Sequence, residues 1–140
     1  MVTAEQIAAL ARTLPRAEEA WVHERRKFRV RGIVFLSISP DETVLGFGFP
    51  KLERDALVAS EPAKFLLPRE SDLRFNWVCA RLAALDLAEM RELVLDAWQM
   101  VVPKKVIREY WEHRNLLAAA DTVDPTESTG PDVGAPPAST

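Results

Sequence analysis

Apolar residues near the start of the chain recur at helical spacing, with Ile7, Leu10, Ala11 and Leu14 on one face. Thr3-Ala4-Glu5-Gln6 ahead of them is a capping-box pattern, in which Thr3 accepts from the Gln6 amide and the Gln6 side chain reaches back. Pro15 stops this predicted helix. Glu18, Glu19 and Trp21 read as a loop leading into a change of period. From His23 the period falls to two, and Phe28 and Val30 alternate with charged residues up to a turn at Arg31-Gly32. Ile33 to Ile38 is a second predicted strand, apolar enough to be central, and Pro40-Asp41-Glu42 is a turn cluster. Thr43 to Phe49 is a third, with Leu45, Phe47 and Phe49 on one face. The turns between these strands are short, so antiparallel pairing is expected.

Lys51 to Ser60 reads as a short helix with Leu52, Ala56 and Leu57 inward, and Pro62 and Pro68 bound a loop. Leu73 to Leu82 is predicted as an inner strand, with Phe75, Trp77 and Cys79 on one face and Val78, Ala80 and Leu82 on the other. Asp86-Leu87-Ala88-Glu89 is a second capping box. Behind it, Leu87, Met90, Leu93, Val94, Ala97, Trp98 and Val101 give the strongest helical periodicity in the chain. Pro103 suits the first turn of a final helix whose apolar side is Val106, Ile107, Tyr110 and Leu117. The fold class is therefore α+β, a two-layer antiparallel sheet with helices on one face, in the order α-β-β-β-α-β-α-α.

Composition changes this picture at the C-terminal end. Residues 118–140 are rich in Pro, Gly, Ser and Thr, and from residue 121 on they hold no aromatic residue and no cation. Such a segment buries too little apolar surface to offset chain entropy, so a disordered tail is expected after a domain over 1–117. All 18 lysines and arginines lie at or before Arg114, whereas Asp121, Asp124, Glu127 and Asp132 fall in the tail. The formal charge of −3 thus divides into a near-neutral domain and an acidic tail. No apolar run approaches the length of a membrane span. Glu5 stands where a signal peptide carries positive charge, and the single Cys79 has no intramolecular partner, so a cytoplasmic protein is expected.

The sharpest candidate site is the strand His23 to Arg31, where Arg25, Lys27, Arg29 and Arg31 fall on one face. Successive cations there stand about 6.7 Å apart, twice the strand rise, a spacing that suits successive phosphates. The alternative is a solvated face whose cations discourage edge pairing, with Glu18, Glu19 and Glu24 neutralising much of the field. Lys104, Lys105 and Arg108 form a second group at a helix start, where cations are locally unfavourable and an anionic partner would relieve them. A contact with Asp96 or Glu92 would do the same.

Gly46 and Gly48 leave one face of the third strand bare, which admits either a ligand or a closely packed helix. Trp21, Trp77, Trp98 and Trp111 read as core or partly buried anchors before base-stacking platforms. His23 and His113 lie far apart, and Glu109 with His113 makes half a metal site at most. There is no nucleophile elbow, phosphate loop or Cys/His framework, so no enzyme, metal or cofactor is expected.

Several short stretches resemble the MmcQ/YjbR family: Thr13-Leu14-Pro15, Phe28-Arg29-Val30-Arg31-Gly32-Ile33-Val34-Phe35, the strand through Trp77-Val78, and Asp96-Ala97-Trp98 through Val102-Pro103-Lys104-Lys105. The resemblance covers about residues 5 to 112. It implies a secretion-chaperone-like α/β fold and a DNA-binding protein of undefined target. In that reading the protein contacts phosphates without sequence preference through Arg25, Lys27, Arg29 and Arg31, helped by Lys104, Lys105 and Arg108. The other class in view is a non-enzymatic interaction or chaperone-like adaptor module holding a protein partner.

Overall fold

The computed structural model describes residues 1–122, with side chains as far as Leu117. Of the expected tail, residues 118–122 continue the last helix, and 123–140 lie outside the described residues. The chain divides into a first unit, Met1–Val102, and a second beginning at Pro103.

The first unit is an antiparallel sheet with helices. Its elements are α1 (Ala4–Arg12), β1 (Glu18–Val22), β2 (Arg25–Val30), β3 (Ile33–Ile38), β4 (Val44–Gly48), α2 (Lys51–Ser60), β5 (Phe65–Leu66), β6 (Trp77–Arg81) and α3 (Leu87–Gln99). The strand order is β1-β2-β3-β4-β6-β5, and every neighbouring pair is antiparallel. This is the expected α+β class, with two strands more than the hydrophobic pattern predicts.

Register explains the core. Phe28, Leu36, Phe47 and Val78 stand opposite one another across four strands, and Arg26, Ile38, Leu45, Ala80 and Phe65 form the next row on the same face. The apolar members of both rows are buried. Each large side chain contributes about 1.5–3 kcal/mol by leaving water. A register shift between Phe28 and Arg29 leaves Phe35 unpaired, and this bulge lets Phe35 and Leu36 both be buried although they are adjacent. Thr3 and Gln6 make the full capping box, whereas at Asp86 only half of the expected box forms: its side chain accepts from the Glu89 amide at 2.8 Å, and the Glu89 carboxylate binds Lys64 instead. Trp98, buried on α3, donates its indole N–H to the Pro15 carbonyl at 2.9 Å.

Five expectations are corrected. Glu18, Glu19 and Trp21 belong to β1, a strand that buries little and is held by pairing with β2. That pairing makes β1 the edge, so the β2 cations do not guard one. The predicted strand from His23 begins at Arg25, because His23 and Glu24 form a two-residue turn with φ of 51° and 66°. On α2, Leu52 is 94% exposed and Ala56 is exposed, while Arg54 points inward. Leu73–Asn76 is turn rather than strand, and β6 starts at Trp77.

The second unit's described part is α4 (Lys104–Thr122). Pro103 stands at its start as expected, its carbonyl accepting from the amides of Val106 and Ile107. Leu117 is exposed rather than on an inward side. No helix among the described residues is long and apolar enough to cross a membrane.

Candidate nucleic-acid interface

Between the two buried rows, the intervening residues of each strand face the other way. Lys27, Ser37, Gly46, Cys79 and Leu66 form a row across five strands on that open face. Arg25 and Arg29 flank Lys27 along β2. The face is the floor of a groove of about 760 Å³. One end is the Ser39–Thr43 turn, and a wall is built by Pro68, Arg69, Asp72 and Phe75.

Gly46 shapes the floor. A β-carbon there would lie 2.8 Å from Trp77 Nε1 and 2.9 Å from Cζ2, so the indole fills the space that a side chain would need. The bare face expected from the two glycines thus admits an aromatic ring of the neighbouring strand. At Gly48 the close neighbours are Ala97 and Met100, both 3.7 Å from the β-carbon position.

The wall is held from behind by α2. Arg54 is 7% exposed, and its guanidinium donates to the carbonyls of Leu73, Phe75 and Trp77 at 2.9, 3.1 and 3.0 Å. Lys51 adds two bonds, its amide to Asn76 Oδ1 at 3.0 Å and its ammonium to the Arg74 carbonyl at 3.1 Å. At the opposite end, Ser39 and Thr43 donate to Asp41, which holds its carboxyl below the usual range.

Charge is sorted by strand alternation. Arg26 faces the helices, where it is 2.8 Å from Glu5 and 3.7 Å from Glu19, with its guanidinium 4.9 Å from the Trp21 ring. Glu19 also binds Arg12 through two bonds of 2.9 and 3.0 Å. Trp21 is therefore an exposed strand residue stacked by a cation rather than a core anchor. On the open face Glu18 sits 3.6 Å from Arg29, an ion pair too long for a hydrogen bond. Glu19 neutralises only the opposite face, and Glu24 makes no ion pair among the described residues. Arg25 and Lys27, both half-buried, have no carboxylate partner there. Arg69 and Asp72 pair with each other at 3.3 Å.

The predicted cationic row is thus reduced to Arg25, Lys27 and Arg29. Arg31 leaves it, because Arg31 (φ 54°) and Gly32 (φ 81°) form the two-residue turn between β2 and β3. Lys104, Lys105 and Arg108 lie together in the first turns of α4, all exposed and without an ion pair among the described residues. Alternation could not bring Ser37 together with Trp77 and Cys79, because their shared face depends on β4 pairing with a strand about thirty residues further along the sequence. Burial pushes the Cys79 thiol up, with Arg25 pulling in the opposite direction. Among the described residues no group of three His, Cys, Asp or Glu side chains is placed to hold a metal.

Fold and groove together define an α+β protein whose six-stranded antiparallel sheet buries one face and keeps the other open. The chain belongs to the YjbR family, whose model matches residues 12–100. That match takes in all six strands and ends before α4. The fold is also that of the crystal structure of the Deinococcus radiodurans protein DR2400, which carries a DUF419 domain. The two share 16% identity and a TM-score of 0.65 over 78% of this chain and 88% of the other. No curated protein matches the chain in sequence.

Proposed function

We propose that the protein binds DNA through the open face of its sheet, with Arg25, Lys27 and Arg29 contacting phosphates without sequence preference. One observation carries this reading. Glu5, Glu18 and Glu19 are engaged by Arg12, Arg26 and Arg29, and Arg25 and Lys27, which line the groove, have no carboxylate partner among the described residues. Unpaired cations at strand spacing, partly shielded from water, attract a polyanion more strongly than the same charges on an open surface. Lys104, Lys105 and Arg108 add a second cationic group within the same proposal. The role is binding alone, with no bond made or broken.

Fluorescence anisotropy with a labelled oligonucleotide over a salt series tests the proposal. Counterion release gives a slope of about −0.9 per phosphate, so three contacts lower affinity roughly 40-fold between 50 and 200 mM salt. Arg25→Ala with Lys27→Ala should weaken binding and flatten that slope, whereas Arg91→Ala on α3 should do neither. Absence of binding at low salt, or binding unchanged in the double variant, overturns the proposal. Recovery of a stoichiometric protein partner in place of DNA would point to the adaptor class.

A further inference from the structure

We infer that the groove takes an unpaired nucleotide, its base against Trp77 and its phosphate on Arg25 and Lys27, so that the protein prefers single-stranded to duplex DNA. The inference rests on the DNA-binding reading and adds the form of the strand.

The first support is shape. At about 760 Å³ the groove has the size of a small-ligand site, not of a flat docking patch. A duplex keeps its bases stacked inside a cylinder and offers a walled cleft little beyond its phosphates. A single strand can turn one nucleotide into the cleft at little cost, because that base is already unpaired.

The second support is the chemistry of the floor. Ser37 is 8% exposed and lines the groove, and its hydroxyl makes no hydrogen bond among the described residues. Trp77 Nε1 has no acceptor either, and Lys27 lies beside Ser37 across the strand pair. Phosphate oxygens and base edges are acceptors for such donors. A floor of donors open to the groove beside two unpaired cations complements them.

The third support is aromatic. Trp77 lies in the floor, and Phe75 on the wall is 49% exposed with the Arg74 guanidinium 4.7 Å from its ring centre. Rings beside a cationic strand are how single-strand binders hold bases while following the backbone. Because Gly46 lets the indole settle against the sheet, the space above it stays open.

A free nucleotide would meet the same chemistry, so three probes are compared at one salt concentration. They are a labelled thymidine 12-mer, a hairpin duplex with the same number of phosphates, and thymidine monophosphate as competitor. The 12-mer should bind at least tenfold tighter than the hairpin, and the monophosphate should compete only in large excess. Trp77→Ala should weaken the 12-mer about 5- to 150-fold, the loss of one stacked base, and leave the hairpin within about twofold. Trp77→Phe should restore most of the loss. If Trp77→Ala fails to fold, the ratio of the two affinities and Trp77→Phe still decide. Equal affinity for hairpin and 12-mer, or equal weakening of both, overturns the inference and leaves the phosphate reading intact. A monophosphate that binds as tightly as the 12-mer overturns the strand assignment. Failure of both oligonucleotides at low salt overturns the DNA-binding reading as well.

Discussion

Trp77 Nε1 lies 2.8 Å from the point where a β-carbon on Gly46 would stand, and the glycine belongs to the strand that pairs with Trp77's own. A side chain at 46 and the indole in its present place therefore exclude each other. Gly46→Ala should lower stability by about 1–3 kcal/mol, the usual range for overpacking. Gly48→Ala, with nothing nearer than 3.7 Å, should be neutral or slightly stabilising. Urea unfolding of both variants makes the comparison, and an equal loss at the two positions would contradict the geometry.

The His23-Glu24 turn places two non-glycine residues in the left-handed region. Such turns favour Asn-Gly, and each ordinary residue held there costs about 1–2 kcal/mol. Replacing His23-Glu24 by Asn-Gly should raise stability by about 1 kcal/mol or more. A thermal melt that moves downward would show that the turn is not strained.

Arg54 supports the groove wall through three carbonyl bonds from one planar group. A lysine ammonium is a point donor and cannot span those carbonyls. Arg54→Lys should cost about 2 kcal/mol or more, since buried carbonyls lose their donors. It should also weaken oligonucleotide binding by displacing Phe75 and Trp77. Stability and binding measured on one sample separate the two effects.

Glu19 and Glu5 are held below their ordinary carboxylate range, Glu19 chiefly by the hydrogen bond from Arg12 and Glu5 by that from Arg26. A depressed folded value means that the unfolded chain takes up protons first. The stabilisation is therefore complete above the ordinary carboxylate range and is lost as pH falls through the lower folded values. Glu19→Gln should be about 1 kcal/mol less stable than the parent at pH 7, and the gap should close as pH falls towards 3. A gap that widens in acid would reverse the assignment.

Much of the architecture is legible where the signal is local. Thr3 and Asp86 announce their helices because a cap is decided within four residues, and Leu45 and Phe47 announce β4 because alternation is a property of one strand. Glu18–Val22 gives no such signal, since an edge strand that buries almost nothing has no pattern to display. Arg54 is opaque for the opposite reason. An arginine in a short helix reads as solvent-facing, and only the carbonyls of a distant loop make burial favourable. The cations of β2 were visible as a row, but their pairing states were not. Those depend on which carboxylates the hairpin and α1 bring alongside.

Arg25, Arg26 and Lys27 are consecutive, yet the middle one is cancelled by carboxylates on one side of the sheet and its neighbours are left uncancelled on the other. Composition has no part in that outcome. A near-neutral unit acquires an electrical polarity across a single layer of backbone, and its direction is written in the phase of one strand. Inserting one residue into β2 would keep nearly every charge in the molecule and turn that polarity around, sending Arg25 and Lys27 toward the helices and Arg26 into the groove.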